Sequence, residues 1–325
     1  MSGLQSSFVQ IAAVERYARI DGWTFTCMGD RKTPKRWHCR GAEYLSPDWQ
    51  TTSGFSLASV LPWDHYSRKM IGYLRAIQLG ASIMVDADDD NVAKKTWSGF
   101  PSFDGSYATT PVGLGFVNGY QYFTDACIWP RGLPLDLVRS GPRLGRERLV
   151  DANCAVGVWQ GLVDGDPDVD AVFRLVVGQN VIFGEDAPVV FAEGTLCPFN
   201  SQNTAFRREC FPLLYLPTRV SFRYTDILRG IVAQPIMWAC GFRLGMTSAT
   251  LTQERNPHDL MTDFESEVPM YLSASRAAKV AIDVSDPGRS ISENLVAVYH
   301  GLADSGIVPP EELISLNAWL TDLDD

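Results

Sequence analysis

Ile83-Met84-Val85-Asp86-Ala87-Asp88-Asp89-Asp90 decides how this chain is read. An apolar run, read as a buried strand, ends in four carboxylates within five residues. Unpaired carboxylates repel one another and resist burial, so a strand tip that gathers them calls for a cation. Alternation along a strand puts Asp86 and Asp88 on one face. Oxygen ligands on one side suit a hard divalent ion that keeps positions open for water and phosphate oxygens. Taken alone, such a stretch reads equally as a solvated acidic turn.

The flanks give the tip its context. Residues 64–79 read as a helix: Tyr66, Met70, Tyr73, Leu74 and Ile77 recur at helical spacing, and Gly80 follows as a stop. Helix, glycine, buried strand and acidic tip make half of a doubly wound α/β unit, where ligands bind beyond the carboxyl ends of the strands. Upstream, residues 23–28 read as a strand leading to Gly29-Asp30. The loop that follows, Asp30-Arg31-Lys32-Thr33-Pro34-Lys35-Arg36, is the most basic patch of the chain, either a solvated turn or a phosphate contact. Residues 5–19 read as a helix, or as a strand and a short helix. Downstream, residues 99–119 are too sparse in pattern for firm elements, and residues 169–177 and 189–191 read as strands. Residues 224–241 read as a helix interrupted at Pro235. The tail reads as helices over 277–284, 291–303 and 310–323, the last opened by Pro309-Pro310 before Glu311-Glu312.

Composition narrows the function. With 325 residues, 46% hydrophobic and 20% charged, the chain can build a substantial core. A formal charge of −10 disfavours nucleic acid as partner. Seven cysteines are scattered with no CxxC spacing, which points to reduced thiols as in a cytoplasmic protein. Four histidines without an HExxH or paired arrangement disfavour a zinc hydrolase. No stretch reads as a membrane span or a signal peptide. A homo-oligomer is compatible with all of this.

Several segments together resemble two families. They are Arg31-Lys32-Thr33-Pro34-Lys35-Arg36-Trp37, residues 68–78, Asp86-Ala87-Asp88-Asp89, residues 129–135, Pro167-Asp168-Val169-Asp170-Ala171, residues 194–204, and Thr225-Asp226-Ile227-Leu228-Arg229-Gly230. In this order they resemble the STELLO family of plant Golgi proteins, whose lumenal part is glycosyltransferase-like, over most of residues 22–250. More patchily they resemble the reversibly glycosylated polypeptides, which include UDP-arabinopyranose mutases. The resemblance implies an α/β, Rossmann-like GT-A fold: a mixed sheet flanked by helices, with the acidic tip at its centre. It implies a catalytic domain over 1–270 and a helical extension over 271–325 packed on it.

The same resemblance assigns roles. Asp86 and Asp88 would be a DxD motif holding Mn²⁺ or Mg²⁺ and, with it, the diphosphate of a UDP-sugar. Lys32, Arg68, Lys69 and Asn203 would join Asp86 in binding the donor. Arg131 matches the arginine that is self-glycosylated in the mutases, and a planar guanidinium equally suits a bidentate grip on pyrophosphate. The second mutase arginine is absent: Val138 stands there, beside Arg139. Asp170 and Asp168 flank Val169 near the implied site, and Asp226 opens a helix where an acid can act as general base. Trp159, Phe199, Asn200 and Asn203 offer walls for an acceptor groove. Two features depart from the pattern. The late histidine has no clean match among Gln253, Glu254 and His258, and only residues 8–14 stand where the relatives have a first strand. The function implied is metal-dependent transfer of a sugar from a UDP-sugar to a carbohydrate acceptor. The alternatives are a pyranose–furanose mutase and a non-catalytic glycosyltransferase-like scaffold.

Overall fold

The computed structural model describes residues 20–34, 37, 41–88, 90–142, 144–253 and 259–324. The element expected within 5–19, the strand candidate 8–14, Lys35, Arg36, Asp89, Glu254 and His258 lie outside the described residues.

A long strand, Val150–Gly165, organises the sheet. Its second half reads Val156-Gly157-Val158-Trp159-Gln160-Gly161-Leu162-Val163 and is buried throughout, as a strand covered on both faces must be. Its first half pairs antiparallel with Asp104–Thr109. Its second half pairs parallel with Arg243–Gln253 and antiparallel with Asn203–Arg207. The described sheet runs Ile83–Ala87, Asn203–Arg207, Val150–Gly165, Asp104–Thr109, Val189–Phe191, Arg243–Gln253, Asn91–Ala93. The result is a mixed sheet flanked by helices, a GT-A-like α/β fold with a helical C-terminal part.

The strand bearing the acidic tip is Ile83–Ala87, as its apolar run requires. Among the described residues it ends the seven-stranded sheet and is not central to it. The strand Phe25–Met28 pairs instead with Ala42–Leu45, in a separate parallel pair. The helix before the tip starts as a 3₁₀ turn, Tyr66–Arg68, and continues as Lys69–Gln78.

Two expectations change. Residues 171–176 are the helix Ala171–Val176, not a strand, because the Asp170 side chain accepts the Phe173 amide at 2.7 Å and caps it. The helix Thr225–Ala239 runs straight through Pro235. Burial on all sides holds it together. The Gln234 side chain also donates to the Gly230 carbonyl at 2.8 Å in the turn that the proline weakens.

The helical part starts at Leu260, earlier than expected, with Leu260–Val284, then Ile291–Asp304 and Glu312–Asp324. It is tied to the rest of the chain by two carboxylates, the buried Glu312 and the partly exposed Asp322. Glu312 accepts the amides of Thr218 and Arg219, each at 2.8 Å. Asp322 accepts the amides of Ser56 and Leu57, each at 2.8 Å, and so caps the helix Ser56–Val60. Among the described residues no helix is long and apolar enough to cross a membrane.

Trp159 lies in the core, fully buried, and its indole fills the space that Gly245 leaves on the neighbouring strand. A methyl group at Gly245 would sit 2.3 Å from that ring. Gly245→Ala is therefore expected to destabilise the protein by about 1–3 kcal/mol, the usual cost of overpacking. A lowered urea midpoint at unchanged slope would show it; an unchanged midpoint would mean that Trp159 is free to move.

Candidate functional site

Asp86 is the next-to-last residue of its strand, with its carboxylate buried between two cations. Lys69 Nζ lies 2.6 Å from Oδ1, and Arg229 Nη1 lies 3.3 Å from Oδ2. Lys69 also reaches Asp88 Oδ1 at 3.0 Å, so one ammonium bridges both acids of the motif. The Tyr66 hydroxyl donates to the same Asp88 oxygen at 2.9 Å. Burial works against every charge here. It would raise the Asp86 pKa, yet the Lys69 ammonium and then the Arg229 guanidinium outweigh it and hold the group at about 2. Burial would likewise neutralise Lys69, and Asp86 and Asp88 keep it charged, its pKa well above the ordinary lysine value.

Helices supply both cations. Lys69 opens Lys69–Gln78, and Arg229 sits one turn inside Thr225–Ala239, three residues after Asp226. Arg229 Nη2 also donates to the Asn200 carbonyl at 3.1 Å and to Ser201 Oγ at 2.8 Å. The Ser201 amide donates to Asp226 Oδ2 at 3.2 Å. Through this loop the acidic tip connects with a second charged cluster.

That second cluster centres on Arg131. Its guanidinium forks onto Asp168, Nε to Oδ1 at 2.9 Å and Nη2 to Oδ2 at 2.8 Å. Nη2 also reaches Asp226 at 3.1 and 3.2 Å, and Nη1 donates to the Arg223 carbonyl. Desolvation opposes its charge, but the carboxylates of Asp168 and then Asp226 raise its pKa well above the ordinary arginine value. Gly132 follows with φ +93°, and an added Cβ would lie 2.4 Å from Ile227. The Arg131 turn therefore packs directly on the helix that carries Asp226 and Arg229.

The remaining residues fall elsewhere. Arg68 is buried away from the acids: Nε donates to Gln50 Oε1 at 2.7 Å, and the guanidinium covers Trp63 at 3.7 Å. Burial lowers its pKa to about 10. Lys32 is exposed on the loop after Phe25–Met28. Asn203 is fully buried and donates to the Leu162 carbonyl at 3.0 Å and to Thr250 Oγ1 at 2.9 Å. Its strand register sets Thr204 opposite Asp86, which turns Asn203 to the other face of the sheet. Asp170 caps its helix and accepts the Trp129 indole at 2.7 Å. Phe199 is core. Sequence reading did not single out Arg229, Tyr66 or Ser201. The signal for Arg229 was an arginine inside an apolar helix, which has to find a partner.

A divalent ion fits this donor set in one way. Both Asp86 oxygens are engaged by Lys69 and Arg229. Asp88 is 32% exposed, and its second oxygen has no protein partner among the described residues. Those residues contain no cluster of three or more potential metal ligands. An ion here would take Asp88 from the protein and fill its shell with water and phosphate oxygens, as Mg²⁺-like sites commonly do. A cavity of about 520 Å³, within the range of small-molecule sites, opens beside Lys69, Tyr73 and Asp86.

Fold and acidic tip together make a GT-A-like α/β protein. No family model matches the chain. It is 30% identical over 324 residues to "Probable glycosyltransferase STELLO1" of Arabidopsis thaliana, covering 94% of this chain and 42% of that protein. It is 29% identical over the same extent to "Probable glycosyltransferase STELLO2" of that plant. The chain thus spans less than half the length of these curated relatives, while the STELLO resemblance holds over nearly all of its own.

The geometry sets two expectations. Arg131→Ala would leave Asp168 and Asp226 buried without their shared cation, which costs about 3–5 kcal/mol. Chemical denaturation should show the loss, and a midpoint within experimental error of the parent would contradict it. Asp170 behaves differently: burial raises its pKa to about 6. A carboxyl raised above its unfolded value stabilises the fold in its protonated form. Its contribution is complete below the unfolded pKa, near 4, and is lost as pH rises through about 6. Asp170→Asn should flatten the pH dependence of unfolding free energy between these limits; an unchanged slope would remove Asp170 from the account.

Proposed function

We propose that this protein is a glycosyltransferase using a nucleoside-diphosphate sugar, of which UDP-sugars are the first choice, with a carbohydrate acceptor. The observation that carries the reading is Lys69 bridging Asp86 and Asp88 at the carboxyl end of a strand, beside a cavity of about 520 Å³ that Lys69 and Asp86 line. The relatives named probable glycosyltransferases support it.

In this reading the bond between the anomeric carbon and the diphosphate breaks. A new bond forms to an acceptor oxygen, whose proton passes to a base. Charge builds on the departing diphosphate, and fixed cations near it lower the barrier. A bound Mn²⁺ or Mg²⁺ held by Asp88 would neutralise part of that charge. Lys69 is the resident cation next to it, and Asp86 with Arg229 fixes its position. Arg131 and Asp226 have a positioning role, since both are held by buried partners, Arg131 by Asp168 and Asp226, and Asp226 by Arg131 and the Ser201 amide. For the same reason no free guanidinium is left at Arg131 to be glycosylated, and nothing favours the mutase reading.

Calorimetry with UDP tests the proposal. Micromolar binding is expected with Mn²⁺, weakened at least tenfold in chelator and by Asp88→Asn, and abolished by Lys69→Met. Equal affinity with and without metal would remove the ion from the site, and no UDP binding under any condition would remove the nucleotide. Incubation with a set of UDP-sugars, scoring free UDP and ring form together, separates transfer from mutase turnover.

A further inference from the structure

Phe222 is the one exposed aromatic side chain among the described residues, 56% accessible. It begins the turn Phe222–Tyr224 that leads into Thr225–Ala239, four residues before Asp226. Its ring meets Tyr66 edge-on, with centroids 5.6 Å apart. Tyr66 in turn donates to Asp88, and the Lys69 ammonium lies 4.6 Å from the Tyr66 ring centre. A single exposed apolar residue on a plain surface needs no account. This one stands a single side chain away from the acidic tip.

We propose that Phe222 is a stacking platform for the pyranose ring of the carbohydrate acceptor, an assignment that rests on the glycosyltransferase reading above. A pyranose has a C–H face and a rim of hydroxyls. The exposed aromatic face covers the first and removes it from water. The hydroxyl rim stays in water at the edge of the ring. Tyr66 holds the platform at a fixed distance from Asp88 and Lys69, which makes acceptor placement dependent on the ring and donor charge dependent on the ammonium.

Saturation-transfer NMR on the full chain, with methyl α- and β-glycosides of glucose, galactose, mannose and xylose as probes, tests this directly. Wild-type protein should transfer saturation to the ring protons of at least one glycoside. Phe222→Ala should weaken that binding about tenfold, the scale of one aromatic contact, and Phe222→Trp should keep it. UDP affinity by calorimetry should stay the same in both variants. Equal saturation transfer in Phe222→Ala, or none to any glycoside in the wild type, would overturn the platform while leaving UDP binding, and the reading it rests on, intact. A tenfold loss of UDP affinity in Phe222→Ala would give the ring to the nucleotide instead. Sugar binding that depends on Phe222 in a protein that binds no UDP would keep the saccharide subsite and reject the transferase.

Discussion

One buried ammonium governs the arrangement of this molecule. Lys69 lies between two carboxylates that could not otherwise share a strand tip. Taking charges out of water is costly, and only close, well-directed partners offset it. Here two cations, Lys69 and Arg229, face two acids, Asp86 and Asp88, so the cluster is neutral where it is most buried. The requirement reaches far along the chain. It fixes where the helix Lys69–Gln78 begins, how deep Thr225–Ala239 lies, and where the loop at Asn200 and Ser201 must run.

The second cluster repeats the arrangement of one cation shared by two acids. Arg131 is the shared cation of Asp168 and Asp226, and the Ser201 amide joins it to the first cluster. Charge satisfaction then continues into the helical tail: Arg223, whose carbonyl accepts from Arg131, pairs through its side chain with Glu267 of Leu260–Val284 at 2.7 Å. The C-terminal helices therefore buttress the site, although none of their residues enters it. The glycosyl transfer proposed above would benefit from this rigidity, because fixed charges stabilise a developing diphosphate without having to reorganise.

The folded chain also separates residues that look alike in sequence. Arg68 and Lys69 are neighbours, yet one stacks on Trp63 and the other bridges the acids. Helical geometry sends adjacent side chains in directions about 100° apart, so only one of them can face the strand tip. Asn203 and Thr204 diverge for the corresponding reason in a strand, and Trp159 and Phe199 went to the core because large apolar rings gain more there than in an open groove.

By itself the sequence determined what is local. The apolar run 83–87 with its acid tip, the amphipathic helix before it and the last two tail helices follow from periodicity, stop signals and caps that act over a few residues. The same local rule governs Ala171–Val176, where the Asp170 cap outweighs a strand-like composition. Only the tertiary structure decided which cation each acid meets. Lys69 lies 17 residues from Asp86 along the chain and Arg229 lies 143. Asp168 and Arg131 are 37 apart. Pairing over such separations is chosen by sheet register and helix packing, and ultimately by the cost of leaving any of these charges buried alone.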